Sequence, residues 1–169
     1  MENTEDLKKY FDSKEYITTI IGKDSEIDIS TIDESKISNL ISLLTDPANK
    51  KLKEETLLTL KKEKGGDILL LAIASPKAKA VRHKLVAACW ESEINFSHYL
   101  SFFILLALDN DYLVSMEAIT VISTMVGPFK NEDVKEAIKK VKAAQKNSTT
   151  EKKFLLDDLA ETLESFVNE

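Results

Sequence analysis

The chain has 169 residues, of which 43% are hydrophobic, and this is the size and composition of a globular domain that buries a core. Four glycines and three prolines serve the whole length, too few for the many tight turns of an all-β protein. A formal net charge of −6 argues against a general nucleic-acid binder, because phosphate backbones are bound mainly by clustered Lys and Arg.

The first 33 residues are predicted to form an N-terminal helix and a connector. Apolar residues recur at helical spacing from Leu7 to Ile21, and Gly22 follows as a stop. Residues 1–9 are acidic and polar, whereas an export signal has a basic start and an apolar centre, so we expect no export. Residues 23–33 are polar, with three isoleucines that suit a short extended segment.

Residues 34–126 are predicted to contain three helix pairs, each interrupted by a turn. Asp46 and Ser75 can accept hydrogen bonds at a helix start, and the prolines that follow them fit a first helical turn. The apolar helical segments are residues 40–44 and 52–60, then 68–74 and 81–89, then 99–108 and 114–125. The run 99–108 is about half the roughly 20 residues that cross a bilayer, so we expect a buried helix and no membrane segment.

Residues 127–169 are predicted to form a C-terminal capping helix pair. Gly127-Pro128 offers a left-handed residue followed by one that cannot continue a helix. Asn131 is predicted to cap a helix through Asn147. Ser148 to Glu151 has the spacing of a capping box before the last helix, whose apolar pattern is Phe154, Leu155, Leu159, Leu163 and Phe166.

The helix pairs repeat when the sequence is shifted against itself. A shift of 29 places Asp46-Pro47 on Ser75-Pro76 and Leu52 on Val81, and a shift of 33 carries Val81 to Val114. Leu52, Val81 and Val114 are therefore predicted to be equivalent inward positions. A two-helix period of roughly 30 to 45 residues is typical of helical solenoids. With Val81-Arg82 opening the second helix of the middle pair, these residues resemble HEAT repeats of the armadillo-like class, although Leu52-Lys53 and Val114-Ser115 lack the characteristic Arg.

This resemblance implies an all-α fold, a right-handed α-α superhelix of about four helix pairs forming a single domain over residues 1–169. It also implies that Arg82 pairs with Asp46 or Asp109 between repeats. The alternative for Arg82 is a solvated surface residue. Because residues 99–108 are apolar nearly all round, they are predicted to lie at the centre of the stack.

The sequence predicts neither an enzyme nor a bound cofactor or metal. Cys89 is the only cysteine, lies six residues after His83 on one predicted helix and falls on its apolar stripe, so we expect a core residue rather than a nucleophile. Gly65-Gly66 is the only glycine pair and is interpreted as a helix connector. Asp109 and Asp111 begin like a calcium loop, but Leu113 breaks the ligand pattern, which favours helix capping.

The predicted function is a cytoplasmic interaction module that binds a protein or peptide along the faces of its second helices. Trp90 is the only tryptophan, a residue enriched at binding hot spots, although it can also pack over its own repeat. The predicted surface consists of Glu54, Leu58 and Lys61, then His83, Ala87 and Trp90, then Met116, Thr120 and Ser123.

Two alternative functions remain. Residues 47–92 hold 10 basic and 5 acidic side chains, which suits a nucleic-acid binder of HEAT-like type, although the overall charge disfavours it. A self-associating structural subunit is the other, and exposed apolar surface on a terminal helix would be its sign.

Overall fold

The computed structural model describes residues 33–109 and 111–167. Over this part of the chain it contains eight α-helices, three short 3-10 turns and no β-strand, so the predicted all-α fold is confirmed. The predicted helix from Leu7 to Ile21 and its connector lie outside the described residues. The helices are α1 (Glu34–Thr45), α2 (Lys50–Lys62), α3 (Gly66–Ala74), α4 (Arg82–Glu91), α5 (Leu100–Asp109), α6 (Tyr112–Thr124), α7 (Asn131–Gln145) and α8 (Thr150–Val167).

The chain divides into two compact units, Met1–Ile94 and Asn95–Glu169. In the first unit α1 packs against α2, α3 and α4, and α3 packs against α4. Helix α3 is the centre of this unit, because all of its residues except Ile68 are buried. The two predicted helix pairs are therefore present as contacting pairs, whereas a single domain over residues 1–169 stays a prediction.

In the second unit α5 packs against α6 and α7, and α8 packs against α6 and α7. Eight residues of α5 are buried, so the apolar run was correctly interpreted as a covered helix. Phe103 lies edge-to-face against Phe96 and Phe102, with ring centroids 5.5 and 5.4 Å away. In each unit one helix that opens a pair is buried, α3 in the first unit and α5 in the second. The prediction that residues 99–108 lie at the centre of the whole stack stays a prediction.

The turns between the two helices of the first pair and between those of the second pair have the same type of hydrogen bond. The Asp46 carboxylate accepts from the Ala48 N–H at 2.9 Å, and the Ser75 hydroxyl accepts from the Lys77 N–H at 3.3 Å. Both residues cap a 3-10 turn that opens with proline, Pro47–Asn49 and Pro76–Ala78, rather than the following α-helix. In the third pair Asp111 caps α6 directly, accepting from the Val114 N–H at 3.0 Å, which confirms the capping interpretation.

The ends of three other helices differ from the sequence prediction. Gly127 is not left-handed, and in the described part of the chain only Lys64 and Glu93 have positive φ. Asn131 is the first residue of α7 and does not cap it. At α8 the hydroxyl that accepts from the Lys152 N–H, at 3.4 Å, is that of Thr149, because Ser148 still bonds backward to the Ala144 carbonyl.

Candidate interaction surface

The second helix of the middle pair is fixed to the first by Arg82. Its guanidinium is buried, donating from Nε to the Ile73 carbonyl at 2.8 Å and from Nη2 to the Ser75 carbonyl at 3.3 Å. The last carbonyls of a helix have no partner within it, so this side chain satisfies the end of α3. With 6% of its surface exposed, Arg82 is not the solvated residue of the alternative interpretation.

The partners predicted for Arg82 by resemblance lie in different settings. Asp46 is exposed, and its carboxylate accepts from the Ala48 N–H and from the Asn49 side chain. Asp109 is buried in the second unit. The pairing of Arg82 with either carboxylate stays a prediction.

Ser115 occupies the position of Arg82 in the third pair and performs the same task. A shift of 33 residues superposes the two in the sequence, and Ser115 is likewise buried. Its hydroxyl donates to the Ala107 carbonyl near the end of α5 at 2.8 Å. A hydroxyl therefore replaces the guanidinium where the characteristic Arg is absent.

The predicted register of the second helices holds in their later turns. Shifts of 29 and 33 superpose Leu57, Val86 and Ile119, and then Leu60, Cys89 and Ile122, and all six side chains are buried.

The register fails in the first turn of these helices. Leu52 is 45% exposed and Val81 is a half-buried capping residue, whereas Val114 is 2% exposed. Leu52 precedes Leu57 by five residues, about 140° around a helix axis, and α2 packs mainly on α1 while α6 is covered by both α5 and α8. The assignment of Leu52 as an inward position was therefore wrong.

The first unit carries two of the three predicted surface triplets. On α2, Glu54, Leu58 and Lys61 are exposed. On α4, His83 and Ala87 are half-buried and Trp90 is 39% exposed.

Two ion pairs connect α2 with the end of α4 and the residues that follow it. The Lys53 ammonium lies 2.7 Å from a Glu91 carboxylate oxygen, and the Lys61 ammonium pairs with Glu93. The hydrogen bond and charge of Lys61 lower the pKa of Glu93. Lys61, predicted as a partner contact, is thus already bound to a residue three positions after Trp90.

The third triplet lies on α6 in the second unit. Met116 and Thr120 are half-buried and Ser123 is exposed. The Thr120 hydroxyl donates to the Met116 carbonyl at 3.0 Å, and the Ser123 hydroxyl to the Thr120 carbonyl at 2.7 Å. Because both hydroxyls donate to carbonyls of their own helix, they are less available for hydrogen bonds to a partner.

Sequence reasoning missed several exposed apolar side chains in the second unit. Phe154 was placed in the apolar pattern of the last helix but is 68% exposed, because the buried face of α8 is formed by Leu156, Leu159 and Leu163. Phe154 precedes Leu159 by five residues, a spacing that leaves it off this face. Tyr112, Leu113 and Val126 are also exposed.

Among the described residues, the cysteine is buried and the potential metal ligands are not clustered. Cys89 is fully buried, its thiol donates to the Leu85 carbonyl at 3.7 Å, and burial raises its pKa well above the usual value, so it is a core residue as predicted. Residues 33–109 and 111–167 contain no group of three His, Cys, Asp or Glu side chains placed to hold a metal ion. Over the same ranges, no helix is sufficiently long and apolar to cross a membrane.

Comparison with known proteins leaves the family open. No protein-family model, no curated protein and no solved structure matches this chain. The resemblance to HEAT repeats therefore stays a prediction based on the residues that carry it.

Proposed function

We propose that this chain is a non-enzymatic interaction module built as a HEAT-like α-α superhelix, and that it binds a protein or peptide on the α2–α4 face around Trp90. The observation that supports this most is the exposure of Trp90 and Leu58 on two helices joined by ion pairs. Large apolar groups held on a rigid surface lose little conformational entropy on binding, and tryptophan is the residue most enriched at hot spots.

The superhelical arrangement is supported by local repetition. The turns at Asp46 and Ser75 have matching hydrogen bonds, and Arg82 and Ser115 each bond to a carbonyl near the end of the first helix of their pair. Such repetition is what stacked copies of one helix pair produce. The Met116 triplet of the second unit is not part of the surface proposed here.

Nucleic acid is the weaker choice of partner for the lysine-rich segment. Lys53 and Lys61 are paired with glutamates, and the ammonium groups of Lys77 and Lys84 bond to the Ser38 hydroxyl and to the Thr45 carbonyl. These lysines therefore act mainly within the unit. Retention on DNA or RNA at low salt, lost steeply as salt rises, would favour the nucleic-acid alternative instead.

Affinity purification from native cells followed by titration of each captured protein tests the proposal. Because the variant below lacks the only tryptophan, calorimetric titration rather than fluorescence measures the affinity of each chain. We expect Trp90→Ala with His83→Ala to weaken binding about tenfold or more, the range of a hot-spot residue. Tyr112→Ala with Leu113→Ala, exposed residues of the other unit, serves as the control. Unchanged affinity in the first variant would exclude the Trp90 surface.

A further inference from the structure

An exposed face of α2 combines positive charge with an apolar centre. Lys51, Leu58 and Lys62 stand at positions i, i+7 and i+11, which share one side of a helix. All three are exposed, and Leu58 is 59% exposed. Glu55, at i+4, is exposed on the same side, so the order along this row is basic, acidic, apolar, basic.

An exposed face of α8 has the opposite charges around an apolar centre. Glu151, Phe154, Asp158 and Glu161 stand at positions i, i+3, i+7 and i+10 and share one side of the helix. All four are exposed. The order along this row is acidic, apolar, acidic, on the terminal helix of the described chain.

These charges are not compensated within the described residues. Neither lysine of the α2 row, and no carboxylate of the α8 row, has an ion-pair partner in this part of the chain. An apolar centre with a charged rim is the usual composition of a protein interface. The two rows carry opposite net charges around their apolar centres.

We propose that a second copy of this chain occupies each face, so that α2 of one molecule packs antiparallel against α8 of the next with Leu58 opposite Phe154. A helix rises 1.5 Å per residue, so Lys51 and Glu161 each lie about 10 Å from these apolar centres and fall opposite each other. Lys62 and Glu151, about 6 and 4.5 Å away on the other side, form the second pair.

This contact is head-to-tail, because it uses different faces on the two molecules. Each added copy leaves one α2 row and one α8 row open, so association continues into a ring or an open chain. Glu55, on the same side of α2, falls opposite Asp158, and this like-charge pair weakens the contact. The inference goes beyond the proposed function and shares only Leu58 with the proposed binding surface.

Weight-average mass measured by light scattering on the full chain tests the proposal. We expect the mass to rise over roughly 10 µM to 1 mM, the range for a small interface, and the rise to shrink at high salt. Lys51→Glu with Lys62→Glu reduces the association constant about tenfold, since both pairs become repulsive. Lys36→Glu with Lys79→Glu changes the net charge equally at other exposed sites and serves as the control.

Charge exchange distinguishes this contact from general electrostatic attraction. The Lys51→Glu/Lys62→Glu chain and a Glu151→Lys/Glu161→Lys chain should each associate about tenfold more weakly than the wild type when alone, and should regain association when mixed. Glu55→Lys should strengthen association, because it removes the like-charge pair with Asp158.

A wild-type mass independent of concentration, equal effects of the control pair, or no association on mixing would each overturn the proposal. None of these variants alters Trp90 or His83, so partner binding at that surface is tested separately.

Discussion

Replacing Arg82 by Met removes the charged link between α3 and α4 while preserving a long side chain in the same space. The guanidinium donates to the Ile73 and Ser75 carbonyls at 2.8 and 3.3 Å from a position that is 6% exposed. A hydrogen bond to a charged group contributes about 1.5–3 kcal/mol, and a buried acceptor left without its donor costs about 1–3 kcal/mol. Counting the longer bond as weak, we expect Arg82→Met to lower the free energy of unfolding by about 2–4 kcal/mol.

Urea denaturation monitored by tryptophan fluorescence measures this effect selectively. Trp90 is the only tryptophan and lies on the same helix as Arg82, so its signal follows the first unit. Arg82→Lys should recover part of the loss, because one ammonium cannot reproduce the planar fork of donors. Lys79→Met, an exposed lysine in the same unit, is the control. If Arg82→Met changes the unfolding free energy no more than this control, the two carbonyl bonds do not stabilise the pair.

Four further outcomes are expected. Ser115→Ala should lower stability by about 1 kcal/mol in denaturant titration, less than Arg82→Met, because it removes one neutral hydrogen bond. Lys64→Gly should raise stability by about 1 kcal/mol in the same assay, since it relieves a left-handed backbone conformation that glycine adopts freely. Lys61→Met should raise the pKa of Glu93 toward its ordinary value, as measured by NMR titration. Because pairing with Lys61 lowers this pKa in the folded state, the pair stabilises the fold at a pH above the pKa of the unfolded chain. This stabilisation is lost as the pH falls through the lower pKa of the folded state. Cys89 should react with a thiol reagent only as fast as the first unit opens, and rapid labelling of the native chain would contradict its burial.

The helix starts could be predicted from their capping side chains. The burial of individual apolar residues was predicted less well, because it depends on which other helices pack against each face. Asp46, Ser75 and Asp111 accept the backbone hydrogen bonds expected of them, because capping needs only a side-chain oxygen within a few residues of a free N–H. The exposure of Leu52 and Phe154 is consistent with their spacing, because each lies five residues, about 140° around the helix, from a buried leucine. Which side of a helix is covered depends on how many other helices pack against it, and the sequence pattern gives no direct measure of that number.

The candidate surface was predictable in outline and not in its contacts. Residues spaced by three and four positions share a helix face, so each triplet was expected to align. The pairing of Lys53 with Glu91 and of Lys61 with Glu93 joins residues far apart in sequence, and only the tertiary fold of the first unit brings them together. These pairs connect α2 with the end of α4 and the residues just after it.

In the connector between α2 and α3, the left-handed backbone and the close approach to α2 are found at two different residues. The left-handed residue after α2 is Lys64, and the next N–H, that of Gly65, bonds to the Leu60 carbonyl at 2.8 Å. A Cβ on Gly65 would lie 2.7 Å from a methyl of Leu60, so a larger residue here requires that buried side chain to shift. Gly65-Gly66, interpreted from the sequence as a helix connector, consists of the last residue before α3 and the first residue of α3.

Arg82 and Ser115 lead to the same conclusion about the repeat. Each is buried at the start of a second helix and donates to a carbonyl at the end of the preceding one, although one side chain is a long cation and the other a short hydroxyl. The end of a helix leaves acceptors that must be satisfied when they are buried, and the chemistry of the donor is secondary to its reach. A repeat defined by the Arg alone would miss the third pair, whereas a repeat defined by the satisfied carbonyl includes both.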